Sequence, residues 1–486
     1  MRRSLPWQQL SRSITRPLLL GGEEQFDRLR RPAMNQYQTV RPEAIARCAS
    51  PTDVVQVINF CRRYGLEIAV RGAGHSFAGH SSTTGLLIET GLMCAVAVEG
   101  DFATIGAGAR LAGIYRALHD HQAAIAAGCG PTVGIAGLAL GGGLGVLGRS
   151  YGLTCDRMTA AQVVLADGSL ITCNDTSDSD LYWALRGAGA GNFGVVTALT
   201  FRTIPEPRAL AFHFSWPPRS MPEAMNAWMD WAPSAPDAMA ASLVVRAPAD
   251  PSVSPQVHLI GSVLADDAAA TDGLRHFERL VGAPVHNRQL PAAPIGEVKA
   301  QLAAFGAEIG AGSATAVDHS ASEFQHQRLP TAVTAALALA LNADRIPGQA
   351  RELAFTPLGG AYNRVSADAT AFVHRDDEFL LEYTVTSDSA QPAASPGAAT
   401  EELGQIRELL NGYGTGRAYQ NFADPELTDP LRAYYGQNLS RLGEVKRHYD
   451  PDNFFHHGQS IPPTPDAMEA KEVISNDGGS DDRNDG

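Results

Sequence analysis

The stretch Arg71-Gly72-Ala73-Gly74-His75-Ser76-Phe77-Ala78-Gly79-His80 follows a short apolar run, Leu66-Glu67-Ile68-Ala69-Val70. The run reads as a buried strand, and the glycines as a turn at its end that delivers His75. Glycine has no Cβ, so its main chain can touch a bound molecule and adopt positive φ. An imidazole in such a turn can sit against a ligand that needs close backbone approach.

Just upstream, Ser50-Pro51-Thr52-Asp53 opens a helix, with Ser50 as N-cap and Pro51 at the first helical position. Val54, Val57, Ile58 and Cys61 give it an apolar face, and Gly65 ends it. Residues 1 to about 40 read as an irregular basic lead-in. Downstream, 94–98 and 104–106 read as strands about a Gly100-Asp101 turn, and 110–122 as a helix. Residues 161–166 and 170–173 form a hairpin around Asp167-Gly168. A short helix, 181–186, leads to the strand 195–201. After Pro205-Glu206-Pro207 the pattern changes: strands at 241–246 and 257–264 alternate with helices such as 268–281. Residues 207–414 therefore read as a second α+β domain, with a surface loop over 387–399. The first domain takes 1–206 and resumes over 415–463, and the acidic tail 464–486 reads as disordered.

The chain has 486 residues, enough for about two or three domains and a sizeable core. A net charge of −14 argues against nucleic acid as a partner, because phosphate binding needs basic patches. The six cysteines form no CxxC pair, so no zinc site is expected. In a chain of this size they read as reduced thiols, consistent with the cytoplasm. Arg2-Arg3 with Leu18-Leu19-Leu20 is too short for a secretory signal, and no run approaches a membrane span, so no membrane partner is expected.

Two glycine motifs need context. Gly143-x-Gly145-x-x-Gly148 and Gly189-x-Gly191-x-x-Gly194 both match the dinucleotide fingerprint. The first follows more glycine rather than a strand, and the second precedes a strand rather than a helix. Asp167 lies at a distance suited to a ribose carboxylate, but its Gly168 neighbour marks a hairpin turn. Either the glycines only make tight turns, or their backbone N–H groups line a pyrophosphate.

The order Arg-Gly-x-Gly-His-Ser resembles the covalent flavin site of the berberine-bridge-enzyme-like FAD oxidases, within the vanillyl-alcohol-oxidase/p-cresol-methylhydroxylase fold family. Further blocks extend the resemblance from about residue 34 to Pro463. Gly134-x-x-Gly137-x-x-x-Gly141-Gly142-Gly143-x-Gly145 resembles the second flavin segment of that family. Trp183-x-x-Arg186-Gly187 with Gly191-Asn192-Phe193-Gly194 is similar to the third. Thr370–Arg375 resembles a substrate-domain signature. Tyr434-Tyr435-Gly436-x-Asn438-Leu439, then 449–455 and Gln459-Ser460-Ile461-Pro462-Pro463, resemble the C-terminal signature.

The resemblance implies an α+β, two-domain PCMH-type fold whose separate substrate domain has an antiparallel sheet covered by helices. It implies FAD bonded through its 8-methyl carbon to His75, with Arg71, Gly72, Ala73, Gly74, Ser76 and His80 around it. Gly130, Val133, Gly134, Gly137, Gly141, Gly142, Gly145, Gly191, Asn192, Gly194, Val195, Asn438 and Gln459 complete the implied cofactor set. Many members attach flavin a second time through a cysteine. Here the matching position is Gly130, and Cys129 lies one residue before it, so its thiol is aimed elsewhere unless the loop shifts.

Flavin accepts a hydride, while the protein positions it and tunes it. A base is needed for the substrate proton. Tyr419-Gln420-Asn421-Phe422 resembles the family's Tyr-x-Asn segment, which makes Tyr419 the implied base; the alternative is a core tyrosine. Tyr362, read on a strand, is a second candidate or an ordinary strand aromatic. His374 and Arg375 either bind substrate or brace the sheet. Val133 matches a position where valine leaves room for oxygen. The implied activity is oxidation of a C–OH, C–N or activated C–H bond of a sugar, a glycosylated natural product or an alkaloid-like compound, with oxygen as acceptor. A dehydrogenase with another acceptor, an NAD-linked dehydrogenase and a noncatalytic flavin carrier remain alternatives. Monomer and homo-oligomer are equally open.

Overall fold

The helix opened by Ser50 runs over Pro51–Tyr64 in the computed structural model, which describes residues 5–265, 267–310, 315–391 and 394–464. The Ser50 hydroxyl accepts the Asp53 N–H at 3.2 Å, and Gly65 closes the helix at φ +65°. Such a cap contributes about 1 kcal/mol. The face bearing Val54, Val57, Ile58 and Cys61 is buried against a four-stranded sheet. In that sheet Ala44–Arg47 and Ile68–Arg71 both run parallel to Leu86–Glu89. The strand Ile68–Arg71 stops where the glycine turn begins. The Arg71 guanidinium ties that end down, donating to the carbonyls of Ser81, Leu29 and Arg30 and to the Ser82 hydroxyl.

A five-stranded antiparallel sheet follows, in the order Val96–Glu99, Phe102–Gly106, Val195–Arg202, Met158–Val164, Leu170–Cys173. Its core takes in residues from the far end of the chain, including Ala418, Tyr434, Tyr435, Leu442 and Ile461. Lys446 fastens that return. Its ammonium is fully buried and donates at 2.6 Å to Asp450 and to the carbonyls of Asn192 and Phe455. Removing one partner of a buried pair strands the other charge. Lys446→Met is expected to lose about 3–5 kcal/mol, read as a lower denaturant midpoint at unchanged slope.

An eight-stranded antiparallel sheet spans Arg208–Asp388 and is covered on one face by helices. Leu243, Val245, Phe355, Leu381, Tyr383 and Val385 point to that face and pack on the helices Met221–Trp231, Ala268–Val281, Thr331–Asn342 and Pro396–Leu410. The opposite face turns toward the rest of the chain. There Ala209 and Ala211 meet Ala124, Ala126 and Leu147, and the Ser322 hydroxyl accepts the Tyr419 N–H at 3.1 Å. Residues directly opposite in neighbouring strands share a face. Glu382 pairs with Ser322, Thr384 with both Ser320 and Glu352, and Glu352 with Arg246. The covered face is thus apolar, and the face turned inward carries a polar cluster.

Three local expectations are corrected. The lead-in is not irregular: Trp7–Ser13 and Glu24–Leu29 are helices, and Leu19–Leu20 pairs with Ile45 and Ala44. Leu10 and Ile14 are buried with the Ser50 helix in one core, an apolar spacing masked by the surrounding arginines. The loop expected over 387–399 is shorter, because Phe379–Asp388 is strand and Pro396–Leu410 is helix. Ser395 caps that helix, accepting from Ala398 N. Tyr362 lies on the single turn Gly360–Tyr362 rather than on a strand. Residues 465–486 of the acidic tail, and Arg2-Arg3, lie outside the described residues. Among the described residues no helix is long and apolar enough to cross a membrane, and no group of three or more His, Cys, Asp or Glu is placed to hold a metal.

Candidate active site

A cavity of about 500 Å³ opens beneath the first glycine turn. Gly72, Ala73, Gly74, His75, Ser76 and His80 form one wall, and Val133, Gly134 and Gly137 another. Gly191, Gly194 and Val196 come from the third glycine segment, and Gln420, Asn421, Phe422, His456 and His457 from the returning chain. Close packing explains the glycines. Gly74 sits at φ +81°, where a Cβ would lie 3.1 Å from Pro32 Cα, and a Cβ on Gly134 would lie 3.1 Å from that of Ala73.

His75 Nε2 lies 3.1 Å from the Thr132 hydroxyl. Burial, then the nearby Arg110, lowers its pKa, so the ring is neutral near pH 7. His80 and His457 stack with ring centroids 3.8 Å apart. Burial brings them to about 4 and about 3 respectively, with His80 further lowering His457. Phe77 stacks on Phe422 at 5.2 Å. Two buried polar atoms on this wall, Ser81 Oγ and His457 Nε2, have no hydrogen-bond partner. Unmet polar atoms and a glycine backbone wall fit a long ligand rich in hydrogen-bonding groups.

Several residues expected at the cofactor do not line this cavity. The Asn192 side chain instead donates to Ala188 O and accepts from Ile461 N. Asn438 donates to Ala367 O and Thr370 O. The Arg71 guanidinium is used up by the turn. Val195 is fully buried, because alternation along its strand gives the cavity to Val196. Gly130 lies under Val133, where a Cβ would be 2.8 Å from Val133 Cγ2. Gly141 and Gln459 border a much smaller space of about 40 Å³ shared with His80 and His457.

Gly142 and Gly145 belong to a loop held by two tyrosines. The Tyr362 hydroxyl donates to Gly145 O at 2.8 Å and accepts from Gly145 N at 3.0 Å. Both of its roles are spent, and burial raises its pKa further. Tyr362 is a clamp on the loop, not a proton acceptor. Tyr419 is buried at 2% exposure, and its oxygen accepts from Gly143 N at 3.0 Å and Asn421 Nδ2 at 2.9 Å. Those donors favour a phenolate, but burial outweighs them and pushes the hydroxyl up to about 12. The expected base is thus off the cavity wall and protonated near neutral pH.

The group that the sequence did not disclose is Glu382. It lies opposite Ser322, whose hydroxyl holds the Tyr419 backbone, on the polar face of the large sheet. It keeps part of its surface open. Burial, then the neighbouring Glu352 and Asp318, raise its pKa to about 8. It is the one acid in the apolar strand start Phe379-Leu380-Leu381-Glu382, and that isolation was its available signal. His456 and His457 were missed as well, although they stand just before Gln459. His374 is buried against Phe324, and Arg375 pairs with Asp156 at 2.6 Å; both brace the fold. Cys129 does not reach this cavity. It faces a separate one beside Tyr115 and Lys299.

A long glycine-walled cavity with a histidine and unmet buried polar atoms on its wall fits a protein that holds a large cofactor. Comparison with known proteins identifies the class. Residues 42–174 match the FAD binding domain family, and residues 418–462 the berberine and berberine-like family. A FAD-linked oxidoreductase of Bacillus subtilis is 30% identical over 431 residues, covering 87% of this chain and 91% of the relative. The chitooligosaccharide oxidase of Gibberella zeae is 29% identical over 453 residues, covering 88% and 89%. Among solved structures, Physcomitrella patens BBE-like 1 superposes with a TM-score of 0.85 at 26% identity, covering 95% of this chain and all of that one. The chain belongs to the berberine-bridge-enzyme-like FAD-linked oxidoreductases. It is an enzyme of that class, and its cofactor is FAD.

Proposed function

We propose that the protein is an oxidase in which FAD is held covalently by His75 and electrons pass to oxygen, giving hydrogen peroxide. The substrate is a small hydroxylated molecule of the oligosaccharide class, oxidised at a C–OH carbon. The observation that carries this reading is the glycine-walled cavity with His75 on its wall, together with Glu382 opposite Ser322 on the inward polar face of the large sheet, where the Ser322 hydroxyl holds the Tyr419 backbone just before the 420–422 segment that lines the cavity. The name of the Gibberella zeae relative supports the substrate class. Val133 on the cavity wall supports oxygen as acceptor, because a short side chain leaves space there.

When bound, the flavin accepts the hydride. Glu382 takes the hydroxyl proton of the substrate, and Arg246, 2.6 Å from Glu352, offsets part of the negative charge around it. The Gly141–Gly145 loop is kept rigid by Tyr362 and Tyr419. His75 is neutral, so a ring nitrogen is free to form the bond to the cofactor.

The test is anaerobic mixing with a panel of chito-, cello- and xylo-oligosaccharides, reading loss of the flavin's visible absorbance. No bleaching by any member removes the oligosaccharide reading. The pH dependence has a defined sign. A base must be unprotonated, so flavin reduction is expected to rise with pH toward about 8, the Glu382 value, and level off above it. In Glu382→Gln that rise should be absent. An unchanged profile in the variant would exclude Glu382 as its source.

A further inference from the structure

We propose that a second cavity, between the helices Leu111–His119 and Ile295–Ile309, binds a small amphipathic carboxylate on the ammonium of Lys299. This cavity measures about 330 Å³ and shares no lining residue with the flavin cavity. Lys299 is 1% exposed. Its Nζ donates to Ile125 O at 3.1 Å and stands 4.0 Å over the Tyr115 ring. An ammonium has three N–H donors, and this contact set gives it a single oxygen acceptor. Among the described residues no carboxylate lies within ion-pair distance of it.

The nearby acids do not answer that charge. Glu297 is exposed on the same helix and accepts from Gln301 at 3.2 Å. Glu206 is taken by His119 at 2.7 Å. Burial raises the Cys129 pKa, so beside Lys299 it is a neutral thiol rather than a thiolate. Arg116 adds the same sign to the lining, whereas Ala112, Pro131 and Pro294 are apolar. A buried cation with spare donors and an apolar enclosure suit a ligand with one carboxylate and a hydrocarbon or aryl body. Pro131 on this wall precedes Thr132, the partner of His75, so the two cavities share a partition.

The probe is benzoate, titrated calorimetrically into the flavin-loaded full chain. Burial lowers Lys299 to about 8, so binding at about pH 7 is expected to weaken about 30-fold by about pH 9.5. The other titratable or charged groups facing the cavity are Tyr115, Arg116, His119, Cys129 and Glu297. Lys299→Met separates their titration from that of the lysine, and is expected to bind at least about 10-fold more weakly at pH 7. Ala300→Phe, at an exposed position on the rim, blocks the space without touching the ammonium and should have the same effect. Flavin absorbance and melting temperature confirm that each variant is folded. No binding to the wild-type chain at about 10 mM benzoate overturns the proposal. So does affinity unchanged in Lys299→Met, or, where that variant does not fold, unchanged in Ala300→Phe.

Discussion

His75→Ala is expected to strip all flavin fluorescence from the acid-denatured protein band, while the wild-type band keeps it under ultraviolet light. The imidazole lies on the cavity wall with Nε2 against Thr132, and burial keeps it neutral. A neutral ring has a lone pair available for the bond, which a protonated ring lacks. No second attachment is expected, because Cys129 opens into the cavity of Lys299 and not into that of His75. Fluorescence remaining on the His75→Ala band would give Cys129 a role that its position argues against. Flavin released from the denatured wild-type protein would remove the covalent bond and leave FAD binding untouched. The variant should still bind flavin reversibly, since the glycine walls and the His80–His457 pair are unaltered.

Glu382→Gln is expected to slow anaerobic flavin reduction about 10²–10⁴-fold with flavin content unchanged, the usual contribution of a positioned general base. The size of the effect follows from the match between its pKa, raised to about 8, and working pH. Tyr419→Phe provides the contrast. Its hydroxyl accepts from Gly143 N and Asn421, so the substitution leaves those donors unmet in a buried place. The expected cost is about 1–3 kcal/mol of stability, with a smaller loss of rate than in Glu382→Gln. Equal losses of rate in both variants at unchanged stability would return the base role to Tyr419. An unaltered rate in Glu382→Gln would remove Glu382 from the chemistry.

Much of the first flavin segment was legible because its determinants are local. Ser50, Pro51 and Gly65 bound a helix whatever lies around it, and a glycine turn after an apolar run marks a strand end facing a ligand. The hairpin about Asp167-Gly168 was equally readable, with Gly168 at φ +85° and Val164 opposite Leu170. The first forty residues were misread because their apolar positions are sparse and gain meaning only against the Ser50 helix and the strand Ala44–Arg47. Asn192 and Asn438 stood in the right blocks, yet their side chains bond backbone groups far away in sequence, Asn192 accepting from Ile461 N and Asn438 donating to Ala367 O.

The sequence by itself determined the order of the glycine segments and the placing of His75 in a turn at a strand end, since both depend on backbone freedom over a few residues, and its motifs together carried the family resemblance that implied the fold class. Which side chains meet was decided only by the tertiary structure. A strand alternates its faces, so one register sends Val196 rather than Val195 to the cavity and sets Glu382 opposite Ser322. Burial then sets the protonation of what has met: it keeps the Tyr419 proton in place, and with two neighbouring acids it raises the Glu382 pKa to about 8. Neither register nor burial is a property of a short stretch of chain, because both are set by strands and helices that fold onto it from elsewhere.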